Sequence, residues 1–482
     1  MSGFQMTHIR DEYDSIVIGA GMSGLAAGIR LAHYGQKVAI FESHSLAGGL
    51  NSYYSRGGRL FDVGLHAVTN HVEANVRSAP MNKLCRQLRI KSADLGLCPQ
   101  IRSRINFPSA SLEFTNDFDS FRQSVSRFFP GESEGLDRFV QDISGDGELS
   151  LNQEFESTRK KLGKWFTSPL FMEMLCCPLM YYGNAWEEDM DFSQFVIMFK
   201  SIFLEGFARP REGVTRIIDL LVSRYRECGG ELHMKTPVKS IISRDGAVRG
   251  VILADGRQVL ADRVFSSAGI AETHNLVDYE ASLESETSHG EKTGSEKPRS
   301  GKLSFVEAIF VLDRSPASLG MNDTIHFFSR QNNFAYRQPD TFMDMDSGVL
   351  CCPNNFDYRK PLEEGILRIT HMANHDKWAE LDRSAYRRKK EECLSACARE
   401  IEEWFPGFAG SIVATDFFTP VTVRRFTGHH NGAVYGSPDK SRDGRTAWEN
   451  LYIIGTDQGF LGIIGSMLSG ISIANLRGLM SR

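Results

Sequence analysis

The sequence predicts a doubly wound α/β fold, and three observations point to it. Residues 14–42, DSIVIGAGMSGLAAGIRLAHYGQKVAIFE, run from a short apolar stretch through a glycine turn and a helical repeat to a second apolar stretch. Residues 231–269 add a β-rich segment broken by Asp245-Gly246 and Asp255-Gly256. Residues 451–476 close the chain with an apolar, glycine-rich run that still carries Thr456, Asp457, Gln458 and several serines.

The first unit is the most informative. Ile16, Val17 and Ile18 form the short apolar run of a buried parallel strand, and Leu25, Ile29 and Ala32 then repeat at helical spacing. Gly35 stops that helix, and residues 38–41 supply a second strand, which completes a βαβ unit. Gly19, Gly21 and Gly24 form G-x-G-x-x-G between strand and helix, with Met22 and Ser23 opening the helix. The first glycine allows the tight turn, the second lets the backbone approach a pyrophosphate, and the third lets the helix pack on the strand. Free N–H groups at the helix start then face the phosphates. Glu42 lies at the end of the second strand, where a carboxylate accepts hydrogen bonds from ribose hydroxyls and repels a 2′-phosphate. The unit therefore predicts binding of a dinucleotide other than NADP.

A helix is expected over 214–227, with Ile217, Leu220, Leu221 and Tyr225 on one face. The Asp-Gly pairs supply the positive φ angles of tight hairpins, so a three-stranded meander follows, and then a further buried strand at 264–266. Residues 281–302 lose nearly every apolar side chain and read as a flexible loop. Strands resume at 304–312 and 366–372, and a helix near 377–404 carries Leu394, Cys397, Ile401 and Trp404 on one side. Arg424 and Arg425 sit in a strand-like run, which would point them to opposite faces, one of them open to a cofactor pocket. Tyr435 reads as packing. The polar groups in 451–476 favour a buried cofactor wall over a membrane helix.

Composition narrows the class. The chain has 482 residues, enough for two or three domains, and its 55 Lys and Arg against 60 Asp and Glu give no general attraction to nucleic acid. Nine cysteines, including the adjacent pairs Cys176/Cys177 and Cys351/Cys352, do not resemble a disulfide framework and read as reduced thiols. Cys393 and Cys397 stand one helical turn apart without a third ligand at zinc-like spacing, so no metal site is expected. The first fifteen residues lack the features of a secretory signal and no run of 18 apolar residues occurs, so a cytoplasmic chain is expected. Residues 159–182, RKKLGKWFTSPLFMEMLCCPLMYY, place four cations beside an aromatic and aliphatic cluster. They read either as buried core with a basic turn or as a peripheral membrane patch.

Downstream of Glu42 the chain reads SHSLAGGLNSYYSRGGRLFDVGLHAVTN, with Gly48 and Gly49 followed by FDVG at 61–64. Together with REGVTRIIDLL from Arg211, TPVKSI, FTPVTVRRFTGHHNGAVYGSP from Phe418 and ENLYIIGTDQGFLGIIGSMLSGISIAN from Glu449, this resembles the phytoene desaturase, carotenoid isomerase and retinol saturase family of FAD-dependent oxidoreductases. The resemblance implies a glutathione-reductase-like, Rossmann-type FAD domain, discontinuous over 1–75, 211–280 and 410–482. A mixed α+β substrate domain would be inserted over 76–210 and 303–409. Gly19, Gly21, Met22, Ser23 and Gly24 would hold the pyrophosphate, Glu42 the adenosine ribose, Gly48 and Gly49 the nucleotide chain, and Val238 the adenine through its backbone. The family commonly places Asp directly after the glycine of the terminal motif. Here Gly455 is followed by Thr456 and then Asp457, and either could contact the cofactor. Gly465, Ser466 and Met467 belong to the helix whose start would point at the flavin ring.

His66 completes F-D-V-G-L-H, and a histidine near a flavin can exchange a proton at neutral pH; the other reading is a hydrogen-bonded core histidine. The implied substrate is an apolar isoprenoid polyene, acted on at its carbon–carbon double bonds by desaturation, saturation or isomerisation. The 32 phenylalanines suit a long apolar tunnel. Two alternatives share the fold: a flavin amine oxidase, and a non-catalytic prenyl-binding protein like the Rab GDP-dissociation inhibitors.

Overall fold

The apolar run at 16–18 is the inner end of a strand, Glu12–Ile18, hydrogen-bonded in parallel to Val38–Phe41 on one side and to Gln258–Ser266 on the other. The helix Met22–His33 connects the first two of these strands, and the chain leaves it through Gly35 at φ +82°. These elements come from a computed structural model that describes residues 8–73, 75–144, 154–277 and 297–480. Among the described residues the first sheet has seven strands. Its path runs Val238–Arg244, Ala247–Leu253, Gln258–Ser266, Glu12–Ile18, Val38–Phe41, Glu231–His233, and Leu451–Ile453 attaches to Gln258–Ser266.

The meander is present, but residues 264–266 are not a separate strand. They are the end of Gln258–Ser266, whose first part pairs antiparallel with Ala247–Leu253 and whose last part runs parallel to Leu451–Ile453. One strand therefore serves two partners in succession, and no turn is needed between them. On one side of the sheet the helices Met22–His33, Val214–Glu227 and Gly462–Ile473 bury Leu25, Ile29, Ile217, Leu221, Tyr225, Ile464 and Ile471. On the other side Ile16, Ile18, Ile241, Val251 and Val264 form a smaller core.

A second sheet takes the order Ile412–Phe418, Ser304–Leu312, Gly365–Ala373, Ser347–Cys351, Ile325–Ser329, Ser103–Phe107, Ala110–Phe114. Two elements fall on the other side of the expected boundaries. The helix Pro80–Leu88 packs Met81, Leu84 and Leu88 into the core of the first sheet, and Ile412–Phe418 belongs to the second sheet. The helix expected over 377–404 is two, His375–Ala379 and Arg383–Trp404, because the Asp382 carboxylate caps a fresh start by accepting from the N–H groups of Ser384 and Ala385. Most of the loop expected over 281–302 lies outside the described residues.

Of the two readings of 159–182, the aromatic and aliphatic side chains take the buried-core one. Trp165, Phe166, Phe171, Met174 and Leu175 are buried with the aromatic cluster of the second sheet. Three of the four neighbouring cations are paired: Arg159 with Glu173, Lys161 with Glu156, and Lys164 with Asp142 at 3.2 Å. No helix among the described residues is long and apolar enough to cross a membrane.

Candidate functional site

A cavity of about 530 Å³ opens between the two sheets, and most of the residues singled out in the sequence converge on it. Gly19, Gly21, Met22 and Ser23 line it from the glycine loop, Glu42, Gly48 and Gly49 from the chain after the second strand, Val238 from the meander, and Gly455, Thr456 and Ser466 from the C-terminal segment. His66 lies on its wall.

The three glycines divide their work as the spacing requires. Gly19 has φ +93°, and a Cβ there would come within 2.4 Å of Ser267 Oγ. A Cβ on Gly24 would lie 2.0 Å from the Gly19 carbonyl oxygen, so this residue faces the strand and not the cavity. A Cβ on Gly21 would meet no protein atom within 4 Å. The space it would enter is cavity. Gly21 also caps the helix Met22–His33 without any side-chain hydrogen bond, and no acidic residue occupies the first turn. The C-terminal helix Gly462–Ile473 starts in the same way at Leu461 and puts Gly462, Ile463 and Ser466 on the wall. Two uncapped helix starts thus open on one cavity, each with unsatisfied N–H groups and a positive dipole end. The two helices touch closely, since a Cβ on Gly470 would fall 2.1 Å from the Ser23 carbonyl oxygen.

Glu42 is held ready at the end of its strand. Its carboxylate accepts from the backbone N–H groups of Ala20 at 2.7 Å and His44 at 2.8 Å. Besides Gly24, three expected residues lie off the cavity. Asp457 turns inward, accepting from the N–H groups of Ile270 at 2.7 Å and Ser437 at 2.8 Å and facing Lys440 Nζ at 3.3 Å, so Thr456 is the member of that pair on the wall. Met467 is buried among the helices, and Gly465 packs against Phe460. Arg424 and Arg425 are exposed and lie on a helix, Pro420–Thr427, not on a strand. Pro420 in its first turn and the Thr419–Thr422 capping box start that helix, and Val423, Phe426 and Thr427 face the cavity instead.

The other end of the cavity is apolar and aromatic. Tyr181, Tyr182, Phe305, Val349, Val434 and Tyr435 line it. Tyr435, read as packing, is on this wall, with its hydroxyl donated to the Tyr181 carbonyl. Burial pushes the Tyr181 and Tyr182 phenols well above their ordinary value, so this end carries no phenolate.

His66 sits where the polar and apolar ends meet. Its Nε2 lies 3.3 Å from Glu307 Oε2 and 3.2 Å from Thr370 Oγ1. The other carboxylate oxygen of Glu307 accepts from the guanidinium of Arg368, which also donates to the carbonyls of Leu65 at 3.0 Å and Val63 at 2.6 Å. Burial alone would raise the Glu307 carboxyl, but the charges of Arg368 and His66 outweigh it and hold Glu307 below the ordinary carboxylate value. Arg209 pins the same loop from the opposite side, donating to Leu65 O at 2.6 Å and pairing with Asp62. Glu307, Thr370 and Arg368 were missed in the sequence. Their signal was a lone charge within each of two apolar strand patterns, SFVEAIFVL and GILRITHMA.

The cavity suits a flavin dinucleotide. Open space lies over Gly21, a pre-oriented carboxylate stands at the end of the second strand, and two open helix starts flank a space that becomes apolar beyond His66. Comparison with known proteins agrees. The family of flavin-containing amine oxidoreductases matches residues 22–476. Prolycopene isomerase of Daucus carota is 26% identical, over 96% of this chain and 80% of that protein. All-trans-retinol 13,14-reductase of Danio rerio is 23% identical, over 98% and 87%. An oxidoreductase from Methanosarcina mazei shares the fold at a TM-score of 0.63 and 15% identity, covering 96% of this chain and 99% of that one. These relatives are of the kind that the sequence resemblance implied. The chain belongs to the flavin-containing amine oxidoreductase family and is an FAD-dependent enzyme.

Proposed function

We propose that this enzyme acts on carbon–carbon double bonds of an apolar isoprenoid polyene, by saturation, desaturation or isomerisation, in the aromatic end of the cavity. The observation that carries this reading is the wall beyond His66: Tyr181, Tyr182, Phe305, Val349 and Val434 offer a polyene aromatic faces and aliphatic surface and no charge. The carboxylates that line the cavity are already engaged, Glu42 by backbone amides, Glu272 by the His430 N–H at 2.6 Å and Glu307 by Arg368. A cationic amine would find none of these three unpartnered.

Gly19, Gly21 and the first turn of Met22–His33 would hold the pyrophosphate, Glu42 the adenosine ribose, and the start of Val238–Arg244 would flank the adenine. Thr456, Ser466 and the open start of Gly462–Ile473 would face the flavin, where the helix dipole favours negative charge. When bound, FAD supplies two-electron chemistry at a carbon centre. The protein aligns the substrate chain, excludes water and manages the accompanying proton. His66 is the group we assign to that proton, because it is the titratable side chain placed at the junction of the two ends. The membrane contact considered from residues 159–182 is not part of this proposal.

The test is anaerobic incubation of the holoenzyme with retinol, lycopene isomers, phytoene and, as a control, putrescine, followed by product chromatography and flavin spectra. A polyene is expected to be converted, and His66→Gln is expected to lower turnover by about 10²-fold or more while FAD stays bound. Flavin reduction by putrescine with no change in any polyene would overturn the proposal.

A further inference from the structure

We infer that Glu307 is a positioning residue: its carboxylate fixes the His66 imidazole through Nε2, so that the opposite ring nitrogen, Nδ1, is the one that exchanges a proton with the substrate. This rests on the proposed role of His66 but concerns a contact inside the protein, which can be examined separately.

The surroundings of Nε2 carry the inference. Both groups within reach of Nε2 can accept: Glu307 Oε2 at 3.3 Å and Thr370 Oγ1 at 3.2 Å. An ionised carboxylate is acceptor-only, and the Thr370 hydroxyl lies within 3.4 Å of the same Glu307 oxygen, where it donates. With an ionised carboxylate 3.3 Å from Nε2, the tautomer that places hydrogen on Nε2 is the electrostatically favoured one, and it leaves the lone pair on Nδ1. The strand register makes the arrangement rigid. Glu307 stands directly across from Thr370, and Arg368 is two residues along the same strand as Thr370, on the same face. Arg368 is 2% exposed and Glu307 7%, so their pairing is shielded from water.

The same arginine sets both halves of the geometry. It neutralises the Glu307 oxygen that does not face His66, and it donates to the carbonyls of Val63 and Leu65, on either side of the glycine that precedes the histidine. The carboxylate and the loop carrying the imidazole thus share the Arg368 guanidinium, and Arg209 holds the loop as well. When His66 takes a proton on Nδ1, Glu307 balances the added charge without taking the proton itself. This is the carboxylate–imidazole arrangement that orients a general acid–base, built here on two sheet strands and a pinned loop.

Two measurements test the inference. In holoenzyme labelled with 15N-histidine, with His66→Gln used for assignment, neutral His66 is expected as the Nε2–H tautomer. An Nδ1–H tautomer overturns the inference whether or not any polyene is turned over. The second is a double-mutant cycle on the substrate identified above. Glu307→Gln is expected to lower kcat by about tenfold with little change in KM, and to have less than about a twofold effect in the His66→Ala background. Equal losses in both backgrounds, with flavin content and melting temperature unchanged, would show that Glu307 does not act through His66. Because Glu307→Gln leaves Arg368 partly uncompensated, Thr370→Val provides a second variant that touches only the Nε2 side. Its kcat loss is likewise expected to vanish in the His66→Ala background, and persistence there counts against the inference.

Discussion

The glycines of the first loop show how far single positions determine the site. A Cβ at Gly21 would project into the cavity with no protein atom within 4 Å, whereas one at Gly24 would press on the Gly19 carbonyl oxygen at 2.0 Å. Gly21→Val is therefore expected to fold normally, with an apo melting temperature near that of the wild-type apoprotein, but to lose flavin absorbance. Gly24→Val is expected to lose the folded protein itself, seen as aggregation or a melting temperature lowered by several degrees. Flavin retention by Gly21→Val at wild-type level would contradict the placement of the cofactor. The glycines, Glu42 and His66 were legible because each lies in one contiguous motif. Glu307, Thr370 and Arg368 were not, because they come together only through the pairing of strands 60 residues apart. Their trace was a single acid and a single base in runs of apolar residues, and buried charges in such runs need partners.

At the scale of elements, the legible parts were those with local causes. The strand–helix–strand opening, the helix Val214–Glu227 and the hairpin turns at the Asp-Gly pairs follow from spacing and turn chemistry alone. The readings that failed depended on neighbours or caps. Arg424 and Arg425 read as part of a strand-like run, yet Thr419 and Pro420 start a helix there. One strand carries a pH-dependent contribution. His326, on Ile325–Ser329, is held neutral by burial, which lowers its pKa from 6.5 to about 4. Unfolded chains take up this proton near 6.5 and the folded one near 4, so stability is present above 6.5 and falls between those values as the pH drops, by of the order of a few kcal/mol. Denaturant midpoints measured from pH 7 to 4 are expected to fall less steeply for His326→Phe than for the wild type. Parallel slopes in the two proteins would refute this assignment.

At the scale of the whole molecule, the cavity exists because the two sheets meet along the loop that carries His66. One sheet supplies open helix starts and Glu42, and the other supplies Glu307, Thr370, Phe305 and Val349, while Tyr181 and Tyr182 come from the helix Pro169–Gly183. The nucleotide half was readable in the sequence, since it is built from short motifs at the beginning and end of the chain. The apolar half was not, because its wall draws on Tyr181, Tyr182, Phe305, Val349, Val434 and Tyr435, which come from separate parts of the chain and form no motif. The account rests on a flavin bridging these halves. The most direct measurement is the visible absorption of the purified protein together with the flavin released from it by heat. One FAD per chain, freed without proteolysis, is the expected result. A colourless protein that neither releases FAD nor takes it up on addition would contradict the account.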